Sequence, residues 1–342
     1  RDVPEIGRFN RPDMYNPKYH KPRQIVPREL RFEVSERIDA TGRIVTPLDE
    51  NDARFVARQI GAAGVRAAAI CFLHAHRYPA HEQRAREIFA EEIPEVSIAI
   101  SSAVAPEHRE FERSMTTILN AYLAPVVERW ISELERELRA RGFAGEVILT
   151  RSDGGGMTAA SARSSPINML LSGPAGGVIG GVHMAAISGR RNLITMDVGG
   201  TSFDVAIIRE GAAATQQHTM IAGYPALISN LDIRTIGAGG GSLAWIDPAG
   251  ALHVGPRSAG AVPGPICYRR GGVQPTVTDA FLVNGYIDPQ RFLGGEMELD
   301  IEGARLGMED RIAKPLSMSL MKASSGILRI AMRVPKIDSP HT

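Results

Sequence analysis

Cysteine is almost missing from this 342-residue chain, which has only Cys71 and Cys267. Two thiols cannot form a cysteine-rich metal cluster, and such sparing use points to a reducing, cytosolic setting. Excess charge of either sign is missing too: 39 Lys and Arg stand against 38 Asp and Glu, a net +1. That balance removes the electrostatic case for a nucleic acid or a charged membrane surface as partner. No apolar run is long enough to span a bilayer, and no signal peptide is apparent. The chain opens on Arg1 rather than Met and starts mid-pattern, so we expect an excerpt of a longer protein.

Glycine, by contrast, is plentiful, with 35 residues that cluster between Gly154 and Gly295. The length leaves room for roughly two domains. Four divisions are expected: a lead-in and hairpin over 1–45, an α/β domain with a long helix over 46–190, a second half over 191–331 built on glycine loops, and an atypical tail over 332–342. Residues 30–38 alternate as a half-buried strand, with a short return at 44–45. Thr46, Pro47 and Asp49 are the start signals of a helix running to about Ile60. A buried strand over 66–73, a helix over 79–92 and a strand over 96–100 follow, and their alternation argues α/β layering. Residues 106–141 have helical periodicity, and Pro125 is expected to kink or split the helix. Arg109, Glu110, Arg113 and Glu128 are expected on its solvated face. A strand over 146–150 runs into Ser152-Asp153-Gly154-Gly155, and a glycine-rich loop at a strand end is a usual place for a ligand. Glycines 176, 177, 180 and 181 lie within a small-residue helix that runs to about Ile187. Glycine is costly inside a helix, so another backbone, a ligand or tight helix–sheet packing is expected there.

The richest stretch is 193–211, read as strand, tight turn, strand. An apolar run ends in Asp197. Gly199, Gly200, Thr201 and Ser202 form the turn, and Asp204 opens a second β-branched run. Such a turn offers several backbone N–H groups to one anion, and flanking acids suit Mg²⁺, which binds phosphate through a few carboxylates and its own waters. The pattern reads as a phosphate clasp, with an ordinary glycine hairpin as the alternative. Asp197 is the candidate near Mg²⁺, directly or through water, against a turn-capping role. Asp204 either joins it or hydrogen-bonds the turn. Asp279 either lines the site or caps a helix with Thr278 beside it. Asp153, Gly154 and Gly155 are candidates on the substrate side, or a self-capping loop. The run Gly237, Gly239, Gly240, Gly241, Ser242 superficially resembles a dinucleotide fingerprint. A hairpin follows it rather than a helix, which counts against a Rossmann fold. His74, His76 and His81 lack a compelling carboxylate partner and read as solvated loop histidines rather than metal ligands. Cys267 reads as structural, since no partner His is identifiable.

Taken in order, these motifs resemble a known family. Asp197-Val198-Gly199-Gly200-Thr201-Ser202-Phe203-Asp204 is similar to the second phosphate motif of the actin, sugar kinase and chaperone ATPase superfamily. The loops at 152–155, 172–177, 237–242, 255–265 and 275–280 occur in that order in its hydantoinase A / 5-oxoprolinase branch, which also includes acetone carboxylase subunits. The resemblance extends to about Ala331. It implies an actin-like ATPase (ribonuclease H-like) α/β architecture, incomplete at both ends. A further N-terminal Asp-x-Gly-Gly-Thr clasp and a later Gly-Gly-Ala-Gly adenosine motif are absent, and Phe203 stands where many relatives have a small hydroxyl residue. The chain therefore resembles a central part, and an isolated copy should bind nucleotide poorly.

The implied activity is ATP-dependent ring opening of a cyclic amide such as 5-oxoproline or a hydantoin, by phosphorylation of the amide oxygen. ATP and Mg²⁺ are the implied cofactors. A B-type subunit or domain is the implied partner in a cytoplasmic hetero-oligomer. On this reading Asp197, Asp204 and Asp279 are catalytic, while Gly199 to Ser202 and the 237–242 run bind nucleotide. The alternatives are an ATP-dependent ketone carboxylase subunit, a non-catalytic nucleotide-binding subunit, and a sugar-kinase-like or chaperone-like ATPase.

Overall fold

The computed structural model describes residues 1–8, 15–237 and 239–332, so the tail expected over 332–342 lies almost wholly outside the described residues. The chain forms two compact units. Unit 1 comprises Arg1–Gly180 with Ala213–Asp232, and unit 2 comprises Gly181–Ala212 with Ile233–Thr342.

Unit 1 opens with a short helix α1 (Val3–Ile6) and a two-stranded hairpin, β1 (Arg37–Ile38) with β2 (Ile44–Thr46). The strand expected from residue 30 is mostly unpaired, and only its last two residues join the ladder. Helix α2 (Glu50–Ala62) is capped by Asp49, not Thr46: the Asp49 carboxylate accepts from the N–H groups of Asn51 and Asp52. Two unpaired donors of the first turn are thereby satisfied. Strand β3 (Ala67–Ile70), helix α3 (Ala80–Glu92) and strand β4 (Ser97–Ile100) form a βαβ unit, with β3 and β4 parallel. Val56, Ile60, Ile70, Ile88, Phe89 and Ile100 share its core.

After the one-turn helix α4 (Ser101–Val104), helix α5 runs without a break over Glu110–Ala140. Pro125 lies inside α5 and does not divide it. The first half of α5 is buried all round, from Glu112 to Ala121, so its polar residues face protein as well. Arg113 is 1% exposed, which corrects the expectation of a solvated residue. Its Nε donates to Ser101 Oγ (3.1 Å), one terminal nitrogen to the Glu107 carbonyl (3.0 Å) and the other to the Phe72 carbonyl (2.9 Å). Beside it, Glu82 is fully buried. It accepts from Phe72 N–H (2.8 Å), Ser101 Oγ (2.6 Å) and Ser102 N–H (2.8 Å). A buried charge survives only when its donors and acceptors are matched in this way.

Strands β5 (Ile148–Thr150) and β6 (Gly156–Thr158) form an antiparallel hairpin, followed by helices α6 (Ala159–Ser164) and α7 (Ser172–Ser188). The boundary between units falls inside α7. In unit 2, β7 (Leu193–Val198) and β8 (Phe203–Arg209) pair antiparallel, and β9 (Ala212–Ala213) pairs with β8. A Cβ at Gly181 would sit 2.4 Å from Thr195 Cγ2 and 3.0 Å from Ile208 Cδ1, so this one glycine answers the expectation of close helix–sheet approach. Glycines 176, 177 and 180 have open space around them.

The chain then returns to unit 1 in strands β10 (Thr215–Gln216), β11 (Thr219–Ile221), β12 (Tyr224–Ala226) and β13 (Asn230–Leu231). Ala226 and Ile228 pack there with Leu119 and Ile167. Back in unit 2, β14 (Ile233–Ile236) pairs antiparallel with β8, giving the order β14-β8-β7. Strands β15 (Ser242–Ile246) and β16 (Leu252–Ser258) form the hairpin expected after the glycine run. Helices α8 (Val277–Val283), α9 (Ile301–Met308) and α10 (Leu320–Ala331) build the remaining core around Leu282, Met308, Ile312 and Ile327.

Replacing Glu82 by Ala leaves three buried donors without an acceptor. We expect a loss of about 3 kcal/mol or more in unfolding free energy, read as a lower urea midpoint. Glu82→Gln, which keeps one amide oxygen, should lose less.

Candidate functional site

The turn between β7 and β8 has the tight form expected of it. The ladder runs to its last pair, Val198 opposite Phe203, and the Gly199 N–H donates to the Ser202 carbonyl (2.9 Å). This closes the turn and leaves the next three N–H groups, those of Gly200, Thr201 and Ser202, with no hydrogen bond among the described residues. Successive unpaired N–H groups in a turn are the raw material of an anion nest.

What fixes the turn is the second glycine run. Gly240 N–H donates to the Gly199 carbonyl (2.9 Å) and Gly241 N–H to the Gly200 carbonyl (2.6 Å). A Cβ at Gly239 would lie 2.6 Å from Thr201 N and 2.7 Å from Gly199 O, and one at Gly241 would lie 2.8 Å from Gly200 O. No side chain fits between the two backbones. The run is held from behind: Thr278 N–H donates to the Gly240 carbonyl and Ala259 N–H to that of Gly241, both at 2.8 Å. Gly239 N–H donates to Ser242 Oγ (3.0 Å). The N–H groups of Gly239, Gly240 and Gly241, expected to face nucleotide, are therefore engaged within the protein. Gly237 takes no part in this contact, and Ser242 uses its hydroxyl to brace the run.

Asp197 and Asp204 are direct cross-strand partners, and Thr235 on β14 extends the row. Their surroundings differ. Asp197 is exposed, while Asp204 is 9% exposed and accepts from Thr235 Oγ1 (2.5 Å) and Ser202 Oγ (3.1 Å). Asp204 thus ties the turn to the central strand, and Asp197 keeps its oxygens toward solvent. Thr235 has no motif of its own in the sequence, because the register that brings it to Asp204 is set by pairing between distant strands.

Asp279 is fully buried in a capping box with Thr276, not Thr278. Its oxygens accept from Cys267 N–H (2.9 Å), Thr276 N–H (2.9 Å), Thr276 Oγ1 (2.8 Å) and, more weakly, Ile266 N–H (3.3 Å). With four donors around it, Asp279 anchors the 265–276 loop to α8 and has no oxygen turned to an open site. Burial, reinforced by Asp279, pushes the Cys267 thiol well up, so this cysteine has no thiolate to offer.

The Asp153, Gly154, Gly155 loop belongs to unit 1 and is the tip of the β5–β6 hairpin, not the end of a parallel strand. Asp153 accepts from Gly155 N–H (3.0 Å) and pairs with Arg151 (2.8 Å), which makes it a self-capping loop residue. The histidines lie beyond β3, which ends at Ile70. His81 is buried, not solvated, with Nδ1 2.8 Å from Glu36. His76 lies 3.4 Å from Arg113, and burial together with that charge lowers its pKa. No cluster of metal-ligating side chains occurs among the described residues. No described helix is long and apolar enough to cross a membrane.

Residues 113–334 match the model of the hydantoinase/oxoprolinase family, and residues 1–93 that of the hydantoinase/oxoprolinase N-terminal region. Caprolactamase subunit alpha of Pseudomonas jessenii is 37% identical over 92% of this chain and 45% of its own length. The acetophenone carboxylase gamma subunit of Aromatoleum aromaticum is 38% identical over 90% and 42%. Nucleotide-free acetone carboxylase superposes with a TM-score of 0.81 at 32% identity, over 91% of this chain and 44% of that one. The chain spans 42% to 50% of the length of three of the curated relatives it matches. Loop order, mixed α/β architecture and both sequence models agree: this chain belongs to the hydantoinase/oxoprolinase family.

Proposed function

We propose that the β7–β8 turn is a phosphate clasp of an actin-like ATPase unit. We further propose that the chain serves a cytoplasmic, ATP-dependent enzyme that opens a cyclic amide. The observation that carries the reading is the trio of unpaired N–H groups at Gly200, Thr201 and Ser202, next to the exposed carboxylate of Asp197. Backbone donors fixed before a phosphate arrives need no reorganisation when charge develops on it. The backbone contact with Gly239–Gly241 supplies that fixity.

The donor set also suits Mg²⁺. Asp197 offers a solvent-facing carboxylate and Thr201 and Ser202 lie close by in sequence, in keeping with a small hard cation that retains most of its waters. Bound there, the ion would offset phosphate charge. Asp204, with its oxygens already engaged, holds the turn in place.

An unactivated lactam resists water because its nitrogen is a poor leaving group. If the amide oxygen attacks the γ-phosphorus of ATP, ADP departs and the ring carbon becomes an imidate-like phosphate. Water then adds at that carbon and the C–N bond breaks with the nitrogen leaving as the amine, which gives an acyl phosphate; a second water hydrolyses it to the free amino acid and inorganic phosphate. The chain's own part is to place the γ-phosphoryl group, since phosphoryl transfer depends on positioning and charge neutralisation. The kinship with caprolactamase subunit alpha supports the lactam, and the overlay on acetone carboxylase supports a ketone in its place. The subunit names of these relatives support a second, B-type component that completes the hydrolysis.

ADP release by the assembled enzyme, assayed with caprolactam, 5-oxoproline, a hydantoin, acetone and acetophenone, separates the two. Stimulation by a cyclic amide alone is expected, and stimulation only by ketones with bicarbonate assigns the carboxylase reading. Asp197→Asn should lower amide-dependent ATP turnover about a hundredfold with an unchanged melting temperature. Asp279→Ala should instead lower the melting temperature, because four donors lose their acceptor. Gly239→Val should do both, as its side chain enters the turn and costs about 1–3 kcal/mol of overpacking.

A further inference from the structure

The parallel strands β3 and β4 end side by side, at Ile70 and Ile100, and in open α/β sheets ligands bind beyond such carboxyl ends. The two loops that leave them carry side chains with no part in the phosphate clasp: His74 and His76 after β3, His108 and Glu110 after β4. Glu110 is the first residue of α5, three before Arg113 and so its neighbour on the helix surface.

Both loops are held in place. Glu82 and Arg113 each bond Phe72 in one loop and Ser101 in the other. The His74 carbonyl accepts from Arg77 and Tyr78 N–H, both at 3.0 Å, which closes a turn with His76 inside it. Each loop also has one non-glycine residue in the left-handed region, His74 at φ 59° and Arg109 at φ 78°. Such a backbone is costly for a residue with a Cβ, and strain of this kind collects at functional sites.

The polarity of the group follows from Arg113. One of its terminal nitrogens lies 3.4 Å from His76 Nδ1. A guanidinium only donates, so Nδ1 accepts and the proton of the ring sits on Nε2. Burial and the charge of Arg113 lower the pKa of His76, which keeps the ring neutral in that tautomer. Its Nε2–H has no hydrogen-bond partner among the described residues, and neither has the half-buried carboxylate of Glu110. Glu110 lies near enough to act on the charge of His76. One donor therefore stands beside one acceptor.

That pair is complementary to an amide whose N–H and C=O lie on the same side, the arrangement that a small ring forces on a lactam. A ketone offers only the acceptor. We infer that His76 and Glu110 bind the cyclic amide in unit 1, His76 Nε2–H donating to its carbonyl oxygen and the Glu110 carboxylate accepting from its N–H. This rests on the cyclic-amide reading above, and gives the amide a recognition element that a ketone cannot use.

Calorimetric titration of the assembled enzyme, without ATP, tests this with caprolactam and 5-oxoproline, each beside its N-methyl derivative. At least one parent amide should bind, about tenfold or more tighter than its N-methyl form, because the methyl group replaces the hydrogen that Glu110 accepts. Glu110→Ala should weaken the parent about tenfold and leave the N-methyl form unchanged. His76→Phe should weaken both, since both keep the carbonyl. His76→Gln, which restores a donor near Nε2, should recover most of that loss. Should a variant misfold, the preference of the unaltered enzyme for the N–H form still decides. Equal binding of parent and N-methyl forms overturns the assignment. So does parent binding that ignores both substitutions while cyclic amides still stimulate ADP release, an outcome that leaves the cyclic-amide reading standing. Binding of neither amide also overturns the assignment, and the cyclic-amide reading falls with it only if ADP release is unstimulated as well.

Discussion

Two stretches of backbone touch in unit 2 with no side chain between them, and the candidate site depends on that contact. Gly240 and Gly241 donate to the carbonyls of Gly199 and Gly200, and a Cβ at Gly239 would strike Thr201 N. A turn of glycines and small hydroxyl residues is by itself a flexible loop, since glycine restricts φ and ψ least. Pinning the Gly199 and Gly200 carbonyls from behind fixes their peptide planes and hence the direction of the Gly200 and Thr201 N–H groups on the other side. The carbonyl sides of these peptides serve the fold, and the amide sides remain for a ligand. Asp204 adds a second point of attachment through Thr235 and Ser202, so the turn is held from the strand end as well.

Unit 1 is organised around buried charge. Arg113 and Glu82 do not bond each other. Both bond Ser101, and each bonds one backbone group of Phe72, the carboxylate taking the N–H and the guanidinium meeting the carbonyl. The chain leaving β3 is thus fixed by two side chains from two helices. A charged pair used in this way selects one arrangement of strand and helices, at the cost of desolvating both ions.

Much of this architecture is legible in the sequence, and the exceptions have physical reasons. Elements with a plain burial pattern declare themselves: α3 through Ala85, Ile88 and Phe89 on one face, and the parallel strands either side of it as short apolar runs. The turn at 199–202 is legible because its chemistry is local. Helix α5 misleads in its first half, which is buried all round: its apolar stripe marks a helix, but a charged residue off the stripe, such as Arg113, reads as solvent-facing whether or not protein covers it. The glycine run at 239–241 is conspicuous in the sequence, yet its backbone partner is another turn of the protein rather than a nucleotide. Sequence shows that a side chain is excluded, not what excludes it. Asp279 reads equally well as a site residue or a cap, and its buried capping box favours the cap.

The excursion of residues 213–232 has a consequence of another kind. Unit 1 takes Ala213–Asp232 from the middle of unit 2's sequence, so neither unit is a contiguous stretch of polypeptide. No contiguous segment of the chain contains all of unit 1 or all of unit 2 without also containing part of the other. No single cut in the chain therefore separates the two units without removing part of one of them.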